Sequence, residues 1–318
     1  MKKIAGFGQY LKQKFGVKVK KVPISIPGFT CPNIDGKISR GGCIFCENES
    51  FSPNFQKNRV TINPDIKTNP LLIRQLEALE GQFFRTAPIL KRVYKAQKFL
   101  IYFQSFTNTY APFETLKTLY LRALNFPDVI GLTIGTRTDS ITEETLEFLA
   151  DLKKKGWEIW VEYGIQSSNN KTLERINRGH TFENIIEWVK KTHYYRLPIC
   201  GHLIFGLPGE KKKDMLQSVK DSIELGIESF KFHPLYITRH TLLALKYFQG
   251  KYRPLNRDEY LEILAETLRL LPNGVLVQRI TAGTENLLAP AWCKNKGEQV
   301  SFLVRHLRKL GIELWKED

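Results

Sequence analysis

Between residues 99 and 237 the chain repeats one rhythm: a short apolar run, a polar break, then a stretch with helical spacing. Phe99–Gln104, Val129–Gly135, Glu158–Gln166, Ile199–Leu207 and Ser229–Ile237 read as buried strands. Val22–Pro27, β-branched and bounded by prolines, reads as an earlier one. Leu72, Leu76, Leu79 and Phe83 share a helical face within 69–95, and Phe113–Leu124, Phe182–Thr192 and Lys213–Leu225 continue the helical series. A further helix opens with a Thr142-x-x-Thr145 cap and closes at Gly156. Strands separated by helices of this length pair in parallel through right-handed crossovers. Six such units, with no Gly-x-Gly-x-x-Gly turn after the first strand, fit a partial (β/α)6 TIM-like barrel better than a Rossmann sheet. The expected fold class is α/β, with residues 1–21 as a basic N-terminal arm and 22–240 as the partial barrel. Residues 241–318 are expected as a short α/β appendage, with helical Tyr260–Leu271 and Ser301–Leu310 around a strand at Val275–Ile280.

A barrel of this kind presents its reactive groups at the C-terminal ends of its strands. Gln104, Ser105 and Asn108 follow the second strand, and Arg137 and Asp139 the third. Glu162, Gln166 and Ser167 lie on or after the fourth; Ile204 and Gly206 to Glu210 end the fifth; His233 lies in the sixth. After the first strand comes Phe29–Phe51, a loop rich in Gly, Asp and Asn that holds Cys31, Cys43 and Cys46. Three clustered thiols fall one short of a closed structural zinc site. They are what an iron–sulfur cluster needs when one iron is left open to a substrate. No histidine precedes His180, so the loop has no local fourth ligand. Cys200 begins an apolar strand and reads as a core thiol; Cys293, beside Trp292, reads as core or as a substrate-side thiol. His180 reads as a structural hydrogen-bonding residue, and no metal is assigned to His202 or His233.

Lys plus Arg outnumber Asp plus Glu by 48 to 32, a net charge of +16. Charge this far from zero favours a polyanionic partner, nucleic acid first, with an unpartnered lysine-rich surface as the alternative. Residues 1–21 carry seven lysines and no acid, and Arg85 to Lys98 five basic residues and no acid. Together with Arg305, Arg308 and Lys309 these stretches are candidates for phosphate contact. Five cysteines at these spacings are no secreted disulfide framework. No apolar run has the length of a membrane span, and no signal core follows Met1. The expectation is a cytoplasmic protein with no membrane partner.

The motifs that combine these features resemble the radical SAM superfamily, and within it the YhcC-type branch related to the catalytic subunit of Elongator. Cys31-x11-Cys43-x2-Cys46 has the longer first gap typical of that branch. GFTCPNIDG, GGCIFC, YFQSFTNTYAP, VEYGIQSSNNKTLERINRGHT, HLIFGLPGE and FHPLYI are similar to it in order, across roughly residues 20 to 240. The resemblance implies a radical SAM barrel and a [4Fe-4S] cluster on Cys31, Cys43 and Cys46. S-adenosyl-L-methionine would chelate the fourth iron and yield a 5′-deoxyadenosyl radical. It further implies Gln104, Ser105 and Asn108 near the methionine amino group, although the usual Gly-Gly-Glu is absent there. Glu162 and Gln166 would face the ribose hydroxyls, with a satisfied core carboxylate or an ion-pair partner of Arg137 as the other readings of Glu162; Ile204 and Gly206 would back the adenine, and Arg137 and Asp139 would pair or order the cofactor. An electron donor such as flavodoxin or ferredoxin is implied as well. No residue is assigned as catalytic.

By the same resemblance the substrate is tRNA, at the C5 side chain of a wobble uridine. Elongator's acetyltransferase domain has no counterpart in the sequence, so radical removal or remodelling of a side chain such as carboxymethylaminomethyl is expected in place of acetyl transfer. Two alternatives stay open from sequence: a radical enzyme acting on a small molecule, and a non-catalytic zinc RNA-binding protein that borrows Cys200 or Cys293 as a fourth ligand.

Overall fold

Six parallel strands, laid down in chain order with helices between them, carry the architecture. The computed structural model describes residues 1–47, 54, 60–284 and 286–314. The chain begins with β1 (Lys2–Gly6), α1 (Phe7–Phe15), β2 (Val19–Ile24), α2 (Leu72–Tyr94), β3 (Lys98–Phe103), α3 (Phe113–Leu124), β4 (Val129–Thr136) and α4 (Glu143–Lys154). It continues with β5 (Glu158–Gln166), α5 (Asn170–Arg175), α6 (Phe182–Tyr194), β6 (Ile199–Phe205), α7 (Lys212–Glu224) and β7 (Ser229–Pro234). Then follow β8 (Ile237–Thr238), α8 (Leu242–Phe248), α9 (Arg257–Leu270), β9 (Leu276–Arg279), β10 (Leu287–Ala289), α10 (Lys296–Lys309) and β11 (Ile312–Leu314). Local chemistry sets several of these boundaries. The Thr142 hydroxyl accepts from the Thr145 N–H to start α4, and Asn256 with Glu259 forms a capping box on α9.

The main sheet runs β11-β1-β9-β7-β6-β5-β4-β3-β2. Strands β2 to β7 pair in parallel with their sequence neighbours, and β9 extends the parallel set beside β7. The sheet curls. In a flat sheet β2 and β9, six places apart in that order, would stand roughly 29 Å from each other. Lys21 Nζ on β2 nevertheless donates to Gln278 Oε1 on β9 at 2.5 Å and to Glu162 Oε1 on β5 at 2.6 Å. Only a barrel-like closure brings these side chains together.

The interior is stacked in layers by the two-residue period of the strands. At the N-terminal end of the strands, Val19, Leu100, Ile130, Trp160, Cys200 and Leu276 form a buried apolar ring. Two residues further along five of these strands lie Lys21, Tyr102, Glu162, His202 and Gln278, a polar layer. Outside, the helices cover the sheet with the larger apolar core.

Residues 1–21 correct the expectation of an exposed basic arm. β1 pairs in parallel with both β11 and β9. Phe7 and Leu11 of α1 are buried in the apolar ring, with Phe7 edge-on to Trp160 at 5.1 Å between centroids. Helix α1 therefore plugs the lower end of the barrel. Lys2 bonds the Leu271 carbonyl, Lys14 pairs with Glu158 at 2.6 Å, and Lys21 points inside. The first strand accordingly starts at Val19 instead of Val22. Its alternating lysines look like a solvated stretch until the barrel gives them an interior to face.

Candidate active site

A cavity of about 830 Å³ opens at the C-terminal ends of the strands and gathers the loops that follow them. Its rim is the cysteine loop, of which residues 48–51 lie outside the described residues. The loop is tightly tied. The N–H groups of Ile34 and Asp35 both donate to the Cys31 carbonyl, and Cys46 N–H donates to the Cys43 carbonyl. Gly41 and Gly42 have φ of +82° and +79°, a left-handed pair that reverses the chain directly before Cys43. Ile44 N–H donates to Ile176 O, and Ile44 O accepts from Leu243 N–H, which anchors the loop to the polar segment after α5 and to α8. All three thiols line the cavity, Cys31 and Cys43 buried and Cys46 partly so.

Two guanidiniums stand beside them. Arg137, buried just past β4, holds Asp139 with two bonds of 2.8 and 2.6 Å and donates to the Arg178 carbonyl at 2.8 Å. Its Nη1 is 3.9 Å from Cys31 Sγ. Burial alone would raise the Asp139 carboxyl, but the Arg137 bonds outweigh it and hold the group below its ordinary range. Arg178, also buried, donates to Gly164 O at 2.6 Å, and its Nε has no partner. Burial, followed by the charge of Arg137, lowers the Arg178 pKa. Burial raises the Cys46 thiol strongly, with Cys43 and Cys31 adding to it and the two arginines opposing. Cationic groups packed against clustered thiols suit a ligand that keeps those sulfurs anionic.

The chemistry of this donor set fits a [4Fe-4S] cluster carrying S-adenosylmethionine. Three thiols line one cavity, whereas Cys200 lies in the apolar ring and Cys293 is buried and does not line it. Neither is among the residues that surround the thiols in the cavity. Buried polar atoms without partners are available to the rest of the cofactor. Ser105 Oγ, Thr107 Oγ1 and Gln166 Oε1, all on residues lining the cavity, have none. Ser105 and Phe106 adopt φ of +74° and +54°, and each such non-glycine residue costs on the order of 1–3 kcal/mol. Asn108 holds this turn. Its Nδ2 donates to Ser105 O at 3.1 Å and to Gly135 O at 2.8 Å.

The expected site residues thus divide. Gln104, Ser105, Arg137, Gln166 and Ile204 line the cavity with the cysteines. Asn108 and Asp139 do not; they act through Ser105 and Arg137. Gly206 lies behind the wall, bonded to the Met215 sulfur and the Tyr252 hydroxyl, and a Cβ there would meet Leu255 at 2.9 Å. Glu162 reaches the cavity floor with its carboxylate already bonded. Its carboxylate accepts from Lys21 and Thr133, both at 2.6 Å, from His202 at 2.8 Å, and from Lys231. Four donors saturate its two oxygens. Burial opposes its charge, yet Lys21 and Lys231 hold its pKa well below the ordinary range. Cys200 and His202 stand near Glu162 in an arrangement of metal-ligand type, but the two ammonium groups on that carboxylate disfavour a further cation. His180 makes one long contact to the Thr181 carbonyl and does not line the cavity.

Sequence reasoning missed Arg178, Lys21, Lys231 and Arg279. Arg178 lay within a recognised motif, but nothing local in the sequence shows that it is buried beside the thiols. The other three are basic residues on strands, and their sequence neighbours do not fix which way they face.

Comparison with known proteins follows the same lines. Residues 37–222 match the family model described as the radical SAM superfamily, and residues 227–309 the one described as its C-terminal domain. Protein YhcC of Escherichia coli (strain K12) is 34% identical over 309 residues, 96% of this chain and 93% of that protein. A tRNA uridine(34) acetyltransferase of Methanocaldococcus jannaschii is 28% identical over 154 residues, 48% of this chain and 28% of the relative. Among solved structures, the archaeal Elp3 of Methanocaldococcus infernus has a TM-score of 0.61 at 16% identity, covering 92% of this chain and 63% of that one. This last likeness is one of fold. No helix among the described residues is long and apolar enough to cross a membrane.

Proposed function

The chain belongs to the radical SAM superfamily, and from that membership we propose a radical enzyme that remodels the C5 side chain of a wobble uridine in tRNA. The substrate half of this reading is carried by the 154-residue match to a tRNA uridine(34) acetyltransferase. A net charge of +16 agrees with a polyanionic partner. That relative is matched over only 28% of its length, so its acetyl transfer is not carried over.

The family's cofactors are a [4Fe-4S] cluster and S-adenosylmethionine, which together supply a 5′-deoxyadenosyl radical when bound. Cys31, Cys43 and Cys46 would hold the cluster, and Arg137 and Arg178 would offset its negative charge. Asp139 keeps Arg137 oriented. The unpartnered Ser105 hydroxyl would be free to accept from the methionine ammonium, and Gln166 Oε1 from a ribose hydroxyl. Ile204 gives the adenine an apolar wall. The α1 plug and the apolar ring cover the N-terminal ends of the strands beneath the chamber, leaving the cleft beside β2 as the approach from that side. An electron donor of the flavodoxin or ferredoxin kind supplies the reducing equivalent.

The test is a mass-spectrometric comparison of tRNA nucleosides from cells with and without the gene. The expected result is a change confined to a C5-substituted uridine. An unchanged profile refutes the tRNA substrate and moves a small molecule into its place.

A further inference from the structure

Charge inside the barrel is unbalanced. The polar layer holds two ammonium groups, Lys231 with its side chain 3% exposed and Lys21 with 21%, and both are paired with the single carboxylate of Glu162. Arg279, at the end of β9, adds a third cation whose guanidinium makes no ion pair or hydrogen bond among the described residues. His202 and His233 lie beside them and contribute no compensating charge. Burial, then Lys231, pushes His202 down to about 4, and burial with Arg279 holds His233 well below its ordinary range. Tyr102 offers its ring face to both lysines, at 4.9 and 4.1 Å from the centroid, but carries no charge. Buried cations in excess of their counterions are strongly unfavourable unless something anionic joins them.

There is room for such a group. A second cavity of about 770 Å³, between β2 on one side and β1 and β9 on the other, is lined by Lys21, Lys231, Gln278 and Arg279, with Glu313 of β11 as the one acidic residue among its described lining. Tyr102, Gln104 and Arg279 line both cavities, so this cleft adjoins the chamber that holds the thiols. Gln278 Oε1 is taken by Lys21, while its buried Nε2 has no partner and remains a donor. We propose that this cleft binds an anionic group of the substrate, a carboxylate or a phosphate, between Lys21, Lys231, Gln278 Nε2 and Arg279. The inference rests on the barrel being a substrate chamber and specifies the charge of what enters it. It does not depend on the substrate being RNA.

The test uses the cluster-reconstituted protein with S-adenosylmethionine and no RNA. Acetate and inorganic phosphate are titrated at fixed ionic strength, with chloride as the control, and the thermal midpoint is followed. A ligand that binds the folded protein alone raises the midpoint in proportion to ln(1 + [L]/Kd). Acetate or phosphate is expected to raise it saturably and chloride to leave it unchanged. The anion that saturates first identifies the chemistry. Lys231→Met and Arg279→Gln are each expected to weaken the binding by about tenfold or more, the usual effect of losing a charge-assisted bond. Arg279 is only half-buried, so its variant remains informative if Lys231→Met fails to fold. No anion-specific shift in the unmodified protein, or an undiminished one in Arg279→Gln, overturns the proposal. Either result leaves the tRNA comparison standing, and an unchanged nucleoside profile leaves this binding measurement standing.

Discussion

Replacing Glu162 with Gln tests the account of the barrel interior most directly. The substitution keeps the size and removes the charge that two buried ammonium groups share. Lys21 donates to this carboxylate at 2.6 Å, Lys231 also bonds it, and Glu162 itself is fully buried. Removing one partner from a buried ion pair costs about 3–5 kcal/mol, because the remaining charge stays desolvated. At about 2–4 °C per kcal/mol for a large domain, the midpoint should fall by roughly 6–20 °C at pH 7. The pH dependence separates this explanation from a packing defect. Burial already pushes Lys21 down to about 8 from 10.5, with Glu162 opposing the shift, and a charged lysine held there disfavours folding by roughly 3 kcal/mol. A lysine lowered in the folded state binds fewer protons than the unfolded chain between those two values, so its penalty is full below pH 8 and lifts as pH rises toward 10.5. Without Glu162 the lysine pKa falls further and the relief begins at lower pH. The deficit of Glu162→Gln relative to the parent should therefore shrink between pH 7 and pH 9. Denaturant midpoints under anaerobic conditions at both pH values measure it. A loss below about 1 kcal/mol at pH 7, or a deficit that does not narrow by pH 9, refutes the reasoning.

The remaining predictions concern the upper chamber and the partner. Cys31→Ala, Cys43→Ala and Cys46→Ala should each lower iron and acid-labile sulfide together after anaerobic preparation; zinc bound without sulfide in the parent protein would contradict the cluster assignment. Asn108→Ala frees the strained Ser105–Phe106 turn and should weaken S-adenosylmethionine binding by about tenfold in equilibrium dialysis, at unchanged iron content. Under the proposed tRNA reading, binding through about six phosphate contacts should give a log–log salt slope near −5, and a slope near zero would count against it.

Legibility in the sequence tracked how local each signal was. β5 and α3 occur over the residues that their periodicity marks, because strand and helix patterns are written within single segments. The thiols were legible by type, since three cysteines in a polar loop have few structural uses. The first strand was displaced by three residues for a physical reason. Lys18, Lys20 and Lys21 resemble a solvated arm, and lysine is rarely buried without a partner. The partner of Lys21 is Glu162, 141 positions away, and no local pattern pairs them before the barrel closes. The same distance effect hides the partners of Glu162. Its burial followed from its place in an apolar strand, but its choice of two lysines over Arg137 or a ribose is a property of the closed interior.

Layering also explains why the N-terminal segment belongs to the chamber. A barrel open at its lower end would give water a route to the charged layer, and Glu162, Lys21 and Lys231 would then be screened and only weakly fixed. Helix α1 places Phe7 and Leu11 in the ring of Val19, Leu100, Ile130, Trp160, Cys200 and Leu276, so apolar packing underlies the charged layer, while the cleft beside β2 leaves Lys21 21% exposed. The polar edge of that plug is bonded as well: Tyr10 and Lys14 both reach Glu158, and Trp160 Nε1 donates to the same carboxylate at 2.7 Å. Low dielectric beneath the charged layer strengthens every interaction above it. The plug, the excess of cations and the thiol rim form one sequence along the barrel axis. Opening its lower end with Leu11→Ala, which spares the contact of the Lys21 ammonium with the Phe7 ring at 4.7 Å, should raise the Lys21 pKa toward that of a solvated lysine, a change that nitrogen-15 titration of the ammonium group can follow. An unchanged Lys21 titration in a folded Leu11→Ala protein would mean that the floor contributes nothing to the field above it.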